Sequence, residues 1–308
     1  MEKNRSVLGT FVLLIASIIW GTAFVFQRVA VRYMTSIAYG AIRLSIGAVF
    51  LIITILIIDL VKKKLHKDII PFNKETIFGG LILGVCIFFA TTTQQIGLET
   101  TSAGKSGFIT ALYVAFVPLI GLLCKKKTPI VGWFAIPIAL LGFAMMSIKE
   151  DFTIAIGDAL TLCAALIFAC QILLLDTFRS VDPLKITFME FFVASIIGLI
   201  WMGASHEVPT PQQVVDCIWP LLYVGILSSG VAYSFQVIGQ RMVAPALATL
   251  LMSLEAIFAF LAGGIILHET HSAIEGIGAI IVFIAVILAE QTPYHIFLEN
   301  NFRIKMAK

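Results

Sequence analysis

The sequence predicts an all-α polytopic membrane protein with ten transmembrane helices, arranged as a five-plus-five inverted repeat. Three observations lead there: composition, the length of the apolar runs, and a pattern shared by the two halves. Of the 308 residues, 59% are hydrophobic and 13% are charged, against about 45–50% and about 25% in soluble globular domains. Half the usual charge leaves too little polar surface to keep a chain of this length in water, so the ordinary soluble classes are excluded. A net charge of +3 is too small to mark a nucleic-acid binder, and no nucleic-acid partner is expected. The cysteines, Cys86, Cys124, Cys163, Cys170 and Cys217, form no CxxC pair. Neither a zinc site nor a disulfide framework is therefore indicated.

Apolar runs of about 20 residues match a hydrocarbon layer about 30 Å thick. They fall at residues 8–27, 37–58, 77–98, 106–124, 130–148, 156–178, 184–203, 217–239, 244–267 and 273–290. The breaks between them are polar: Lys62, Lys63 and Lys64; Lys125, Lys126 and Lys127; Lys149, Glu150 and Asp151; and the stretch from His206 to Gln213. Lys3 and Arg5 ahead of the first run resemble the start of a signal peptide. That run is too long, however, and continues into Trp20, Gly21 and Arg28 without a small-residue cleavage site, so it counts as span 1.

Orientation follows from the cations. With the N-terminus inside, sixteen of the 21 Lys and Arg lie on the cytoplasmic side. Arg28, Arg32, Lys105 and Lys149 lie on the other side, and Arg43 falls within a span. The positive-inside rule then puts both termini in the cytoplasm of a multi-pass protein of the plasma or inner membrane.

The halves share a pattern. Gly9, Ala16 and Trp20 of span 1 correspond to Gly157, Ala164 and Phe168 of span 6. Gln94, Ile96 and Gly97 of span 3 correspond to Gln236, Ile238 and Gly239 of span 8. The expected division is a first repeat over 1–150, a second over 151–292 and a tail over 293–308. An odd number of spans per repeat inverts one half relative to the other, an architecture that places a substrate site near the midplane between them.

Several motifs carry a family resemblance. Trp20-Gly21-Thr22-Ala23-Phe24 with Arg43 resembles the opening of EamA-type members of the drug/metabolite transporter superfamily. The run from Gly97 through Thr101-Ser102-Ala103-Gly104-Lys105-Ser106 to Val114 is similar to that family's span 3–4 junction. Gly157-Asp158, Ala232-Tyr233 with Gln236, and Ser253-Leu254-Glu255 extend the resemblance into the second half. It implies a secondary transporter of small metabolites, often amino acids, commonly directed outward. Where that family often has a proline after the span 9 glutamate, this chain has Ala256, which predicts a straighter span 9.

Polar groups inside a bilayer need a partner or water. Glu255 lies about eleven residues into span 9, near the midplane, and two readings stand: an ion-coupling acid, or a structural hydrogen bond between helices. Arg43 is about six residues, roughly 9 Å, from the outer end of span 2, within snorkelling reach of the headgroups. Glu190 is similarly shallow on the cytoplasmic side, and both charges are read first as structural or interfacial. Tyr233, Gln236 and Gln240 share one face of span 8, and Thr91 shares a face with Gln95 beside Gln94 in span 3. Gln27, Gln171 and Tyr113 add two amides and a phenol, and Trp20 offers a stacking wall. Singly each reads as glue between helices; together they predict a polar, substrate-binding cavity.

Enzyme motifs fail. His268-Glu269-Thr270-His271 lacks the H-E-x-x-H spacing and a third ligand. Gly104-Lys105-Ser106 ends like a P-loop, but Glu99 stands where the upstream glycine is needed. No catalytic residue, metal or cofactor is expected, and energy must come from gradients. The expected partners are a small-molecule substrate and the lipid bilayer. A membrane-embedded lipid-modifying enzyme and a non-transporting scaffold are the alternatives; the first would need acids and histidines clustered at an interface. The orientation predicts that reporter fusions at the C-terminus and in the loop with Lys62 to Lys64 both read cytoplasmic. A periplasmic signal from the C-terminal fusion would refute both the span count and the inverted repeat.

Overall fold

Short polar side chains set where many of the helices begin. In the computed structural model, Thr35 accepts a hydrogen bond from the Ala38 amide (3.2 Å), and Asn73 accepts one from the Thr76 amide (2.7 Å). Ser102 does the same for Lys105 (3.2 Å), Asp182 for Leu184 and Lys185, and Thr210 closes a capping box with Gln213. Each cap satisfies a backbone donor that the helix itself cannot. The structure describes residues 2–123, 130–147, 155–178, 180–240, 242–243, 251–270 and 272–290, and among these there is helix and no strand.

The helices are α1 (Glu2–Ala30), α2 (Ser36–Lys64), α3 (Lys74–Gly97), α4 (Ala103–Ala111), α5 (Tyr113–Leu123), α6 (Ile130–Ser147) and α7 (Ile156–Leu175). They continue with α8 (Pro183–Ala204), α9 (Pro211–Asp216), α10 (Ile218–Leu222), a π-helical segment Tyr223–Ala232, α11 (Tyr233–Gln240), α12 (Glu255–Leu267) and α13 (Ala273–Glu290). Six described helical runs are long and apolar enough to cross a membrane: Val7–Ala30, Ser36–Lys64, Lys74–Gly97, Ile156–Leu175, Pro183–Ala204 and Ile218–Gln240. The other expected spans coincide with shorter apolar helices, at Ala103–Val117, Pro137–Met146, Leu251–Leu267 and Ala273–Ala285. Large apolar side chains such as Phe78, Leu81, Ile200 and Ile265 stand exposed on the outer faces, as a hydrocarbon surround requires. Trp219 is exposed at the start of α10, where an aromatic belt residue belongs.

Of span 9, residues 244–250 lie outside the described residues. Helix is interrupted at Leu254, directly before Glu255, and likewise at Leu112, directly before Tyr113. Leu112 and Leu254 occupy corresponding positions of the two halves, at the offset that relates Gln94 to Gln236. Neither interruption has a proline beside it, and both residues keep right-handed helical dihedrals.

The same element pairings recur between the first and second halves of the chain. Helices α2 and α8 pack together, as do α4 with α12 and α6 with α13, each pair joining corresponding elements. The packing of α3 on α7 is matched by α1 on α11 and the π-helical segment, and α4 and α5 on α7 by α1 on α12. Glycines permit the closest of these approaches. A Cβ on Gly142 of α6 would lie 2.8 Å from the Gly278 carbonyl oxygen of α13, and a Cβ on Gly278 the same distance from that of Gly142. Small residues are what allow helices to associate where lipid is as apolar as the side chains.

Gly276, on the same helix, has no atom within 4 Å of an added Cβ. Gly278→Leu should therefore lower the thermal stability of the detergent-solubilised protein by several degrees, consistent with an overpacking cost of about 1–3 kcal/mol. Gly276→Leu should leave stability unchanged or raise it, since leucine favours helix over glycine. Equal melting temperatures for the two variants would refute the close contact.

Candidate functional site

Helices of both halves surround a buried central cavity. It is lined by Trp20, Ala23, Phe24 and Gln27 of α1, Arg43 of α2, Thr91 and Gln94 of α3, Thr110 of α4 and Tyr113 of α5. The second half supplies Phe168, Gln171 and Ile172 of α7, Phe191 of α8, Ser228 and Ser229 of the π-helical segment, Tyr233 and Gln236 of α11, Met252, and Glu255 of α12. Apart from Gln27, Ser228 and Ser229, the lining falls into corresponding pairs. Trp20 with Phe168, Ala23 with Gln171, Phe24 with Ile172 and Arg43 with Phe191 share one sequence offset. Thr91 with Tyr233, Gln94 with Gln236, Thr110 with Met252 and Tyr113 with Glu255 share the other.

The cavity walls carry specific polar contacts. Gln94 Nε2 donates to Thr110 Oγ1 (3.0 Å), and Gln171 Nε2 donates to Glu190 Oε1 (2.6 Å). Each amide thus spends one of its two N–H donors on a neighbour and keeps its carbonyl oxygen for other partners. Tyr113 hydrogen-bonds the Glu255 carboxylate. Tyr233 meets Trp20 edge-on at 5.2 Å between ring centroids and Phe191 at 5.0 Å, forming an aromatic wall. Three buried polar atoms of the lining, Trp20 Nε1, Gln27 Oε1 and Arg43 Nε, have no hydrogen-bond partner among the described residues. An orphaned buried polar group costs roughly 1–3 kcal/mol, so each calls for a guest or water.

Most of the residues expected to bind substrate come together here: Trp20, Gln27, Gln94, Tyr113, Gln171, Tyr233 and Gln236, with Glu255 among them. Two stay outside the lining. Gln95 is fully buried and donates from Nε2 to the Gln27 carbonyl (3.0 Å), while Gln240 donates to Met252 Sδ (3.4 Å). Arg43 turns inward rather than towards a membrane surface: its Nη2 reaches the Thr91 carbonyl at 3.4 Å and its guanidinium lies 5.7 Å from the Tyr39 ring centre. Glu190 is 1% exposed and sits behind Gln171, away from either interface. Sequence reading missed Ser228, Ser229 and Thr110. Adjacent serines in an apolar run were the available signal, and the π-helical segment that directs them inward left none.

No described group of three or more His, Cys, Asp or Glu residues is arranged to hold a metal. Of the His268 to His271 motif, His271 lies outside the described residues, and Glu269 accepts backbone hydrogen bonds from Ala103 and Gly104.

The profile of the EamA-like transporter family matches residues 7–148 and matches again over 155–290. The chain belongs to that family. A relative from Archaeoglobus fulgidus, described as an uncharacterized transporter, is 28% identical over 296 residues, covering 93% of this chain and 87% of its own length. The uncharacterized transporters YoaV and YwfM of Bacillus subtilis are each 23% identical, covering 86% and 94% of this chain and 91% and 95% of their own. A solved crystal structure 13% identical in sequence superposes with a TM-score of 0.65 over 92% of this chain and 96% of its own, which speaks to the fold alone. The protein is thus a multi-pass membrane transporter rather than an enzyme, and its family implies a small-molecule substrate and a lipid bilayer.

The geometry separates cavity residues from helix glue. In a cysteine-free background, single cysteines at Gln94, Ser228 and Gln236 should react with a small aqueous thiol reagent at least ten times faster than cysteines at Gln95 and Gln240. Equal rates at all five positions would refute the cavity assignment.

Proposed function

We propose that the protein is a secondary-active exporter of small zwitterionic metabolites, amino acids or related compounds among them, working by alternating access. One observation carries this reading: a cavity lined by both halves holds Trp20 Nε1, Gln27 Oε1 and Arg43 Nε without partners, with the Glu255 carboxylate on the same wall. A cation and an acid on one lining match a solute bearing a carboxylate and an ammonium group. Arg43 receives the carboxylate, Glu255 the ammonium, and the aromatic wall of Trp20 and Tyr233 the apolar remainder. Gln94, Gln171 and Gln236 supply hydrogen bonds without the cost of further charge.

The cavity measures about 70 Å³, against roughly 10–15 Å³ for each water under the same measure. It therefore holds a handful of waters, and a metabolite is admitted only when one side opens. The recurring pairings support a ten-helix, five-plus-five inverted repeat whose halves rock about the α2–α8, α4–α12 and α6–α13 pairs. The charge count supports cytoplasmic termini in the cell membrane. The outward direction follows from the family resemblance.

Glu255 is the proposed ion-coupling residue. It binds a proton when the substrate ammonium is absent, so that proton influx drives export. Proteoliposomes loaded with a panel of radiolabelled amino acids test both parts. At least one should be accumulated under an imposed pH gradient by the native protein, and none by protein-free liposomes. Glu255→Gln keeps the shape and a hydrogen-bonding partner for Tyr113 but cannot titrate. It should lose gradient-driven accumulation by at least ten-fold while retaining counterflow exchange. Undiminished accumulation would refute the coupling role, and absence of transport across the panel would refute the zwitterion class.

A further inference from the structure

At the end of the bundle that carries the starts of α4, α7 and α13, polar contacts join the two halves. Lys105, in the first turn of α4, places Nζ 3.5 Å from Asp158 Oδ2 of α7 and 3.1 Å from Glu275 Oε1 of α13. Thr101 Oγ1 donates to Asp158 Oδ1 at 2.7 Å. Just beyond α12, the Glu269 carboxylate accepts from the Ala103 amide (2.7 Å) and the Gly104 amide (3.0 Å), closing over the first turn of α4. Between this cluster and the cavity lies an apolar seal of Phe24, Val25, Leu98, Ala103, Ala259 and Ala262, all buried. Phe24 belongs both to the seal and to the cavity lining. Cluster, seal and cavity therefore follow one another along the bundle.

The sequence counterparts of Asp158, Thr101 and Lys105 are uncharged, while the other end has an ion pair of its own, Lys185 with Asp59. At the offsets that pair the cavity residues, Asp158 corresponds to Thr10, Thr101 to Val243 and Lys105 to Leu247. There α1 meets the second half through apolar contact: Gly9 lies against Met242 and Val243, and Gly239 against Leu13. Two repeats of equal construction would favour neither open state. The Lys185–Asp59 pair at the other end, with Lys185 buried, joins α2 to α8, whereas the partly exposed Lys105 pairs join α4 to α7 and α13 and stabilise the conformation in which their own end is shut. Lys105 and Glu275 are both partly exposed, and such pairs are individually weak and readily reversed. A contact broken and remade in every cycle has to be of that kind.

We infer that Lys105, with Asp158, Glu275 and Glu269, forms an ionic latch that holds one end of the cavity shut. The inference rests on the alternating-access reading, and by the charge count the latched end faces outward. Releasing the latch shifts the population towards the state open on that face.

The test uses cysteine-free protein carrying Ser228→Cys in the cavity, reconstituted in vesicles of known orientation. The probes are the membrane-impermeant thiol reagents MTSET (cationic) and MTSES (anionic), applied to each face separately. Lys105→Met should speed labelling from the Lys105 face at least ten-fold with both reagents, which separates opening from a change in local potential. Glu275→Gln, which leaves Lys105 and the buried Asp158 in place, should act in the same direction. Lys105→Arg, which keeps the cation for both acids, should stay near the native rate. Unchanged rates in Lys105→Met and Glu275→Gln that both elute as native-like particles, with labelling from the opposite face intact, overturn the latch alone. If Ser228→Cys reacts from neither face in native or altered protein, yet reacts fully once denatured, the cavity is closed to water and the transporter reading falls with it.

Discussion

Hydrocarbon offers no hydrogen bonds, and the arrangement of this bundle follows from where its polar groups are therefore allowed to be. Arg43 reaches neither surface; it is 4% exposed and finds the Thr91 carbonyl and the Tyr39 ring. Glu190 finds Gln171, and Glu255 finds Tyr113. Lys185, at the start of α8, is buried against Asp59 (2.7 Å) and the Ile70 carbonyl (2.6 Å), joining α2, the segment after it and α8. Each arrangement turns a polar side chain towards another helix, leaving faces bearing Leu81, Ile200 and Ile265 for lipid. Where partners are too few to satisfy every group, as at Trp20 Nε1, Gln27 Oε1 and Arg43 Nε, an internal cavity results. The cavity is thus a consequence of the polar residues the sequence places within its spans, and not a gap left by poor packing.

How much of this was legible in the sequence depended on the range of the interaction. The apolar runs and the kinship of Trp20 with Phe168 are local or periodic features; six of the runs are long apolar helices, and Trp20 and Phe168 both line the cavity. Facing was harder. Gln94 and Gln95 are neighbours in sequence and about 100° apart on a helix, and only tertiary packing decides that the first lines the cavity while the second is buried against Gln27. Tyr233, Gln236 and Gln240 do share a face, but Gln240 lies a turn further along, against Met252. Depth counting placed Arg43 within reach of the headgroups; distance to a surface says nothing of direction, and the side chain turned inward. The π-helical segment shifts facing by its wider turn, so no α-helical period could have assigned Ser228 and Ser229 to the cavity.

The two helix interruptions bear on what the proposed two-fold arrangement does for the site. Leu112 and Leu254 each break their helix one residue before a polar side chain, Tyr113 and Glu255 respectively. Those two residues are counterparts, and they hydrogen-bond to one another between α5 and α12. Under the proposed inverted repeat, corresponding residues touch only close to the axis relating the halves, which puts the Tyr113–Glu255 contact at that axis. A group on the axis moves least when two halves rock about it. In the proposed alternating access, Glu255 keeps contact with a solute, a proton or Tyr113, whereas peripheral residues such as Lys105 part from their partners. Broken helices at a midplane site are a general feature of inverted-repeat transporters, because they free backbone groups and redirect side chains where the cavity can accommodate them. Here the interruptions stand at corresponding residues, with no proline at position 256, beside the contact that joins Tyr113 to Glu255.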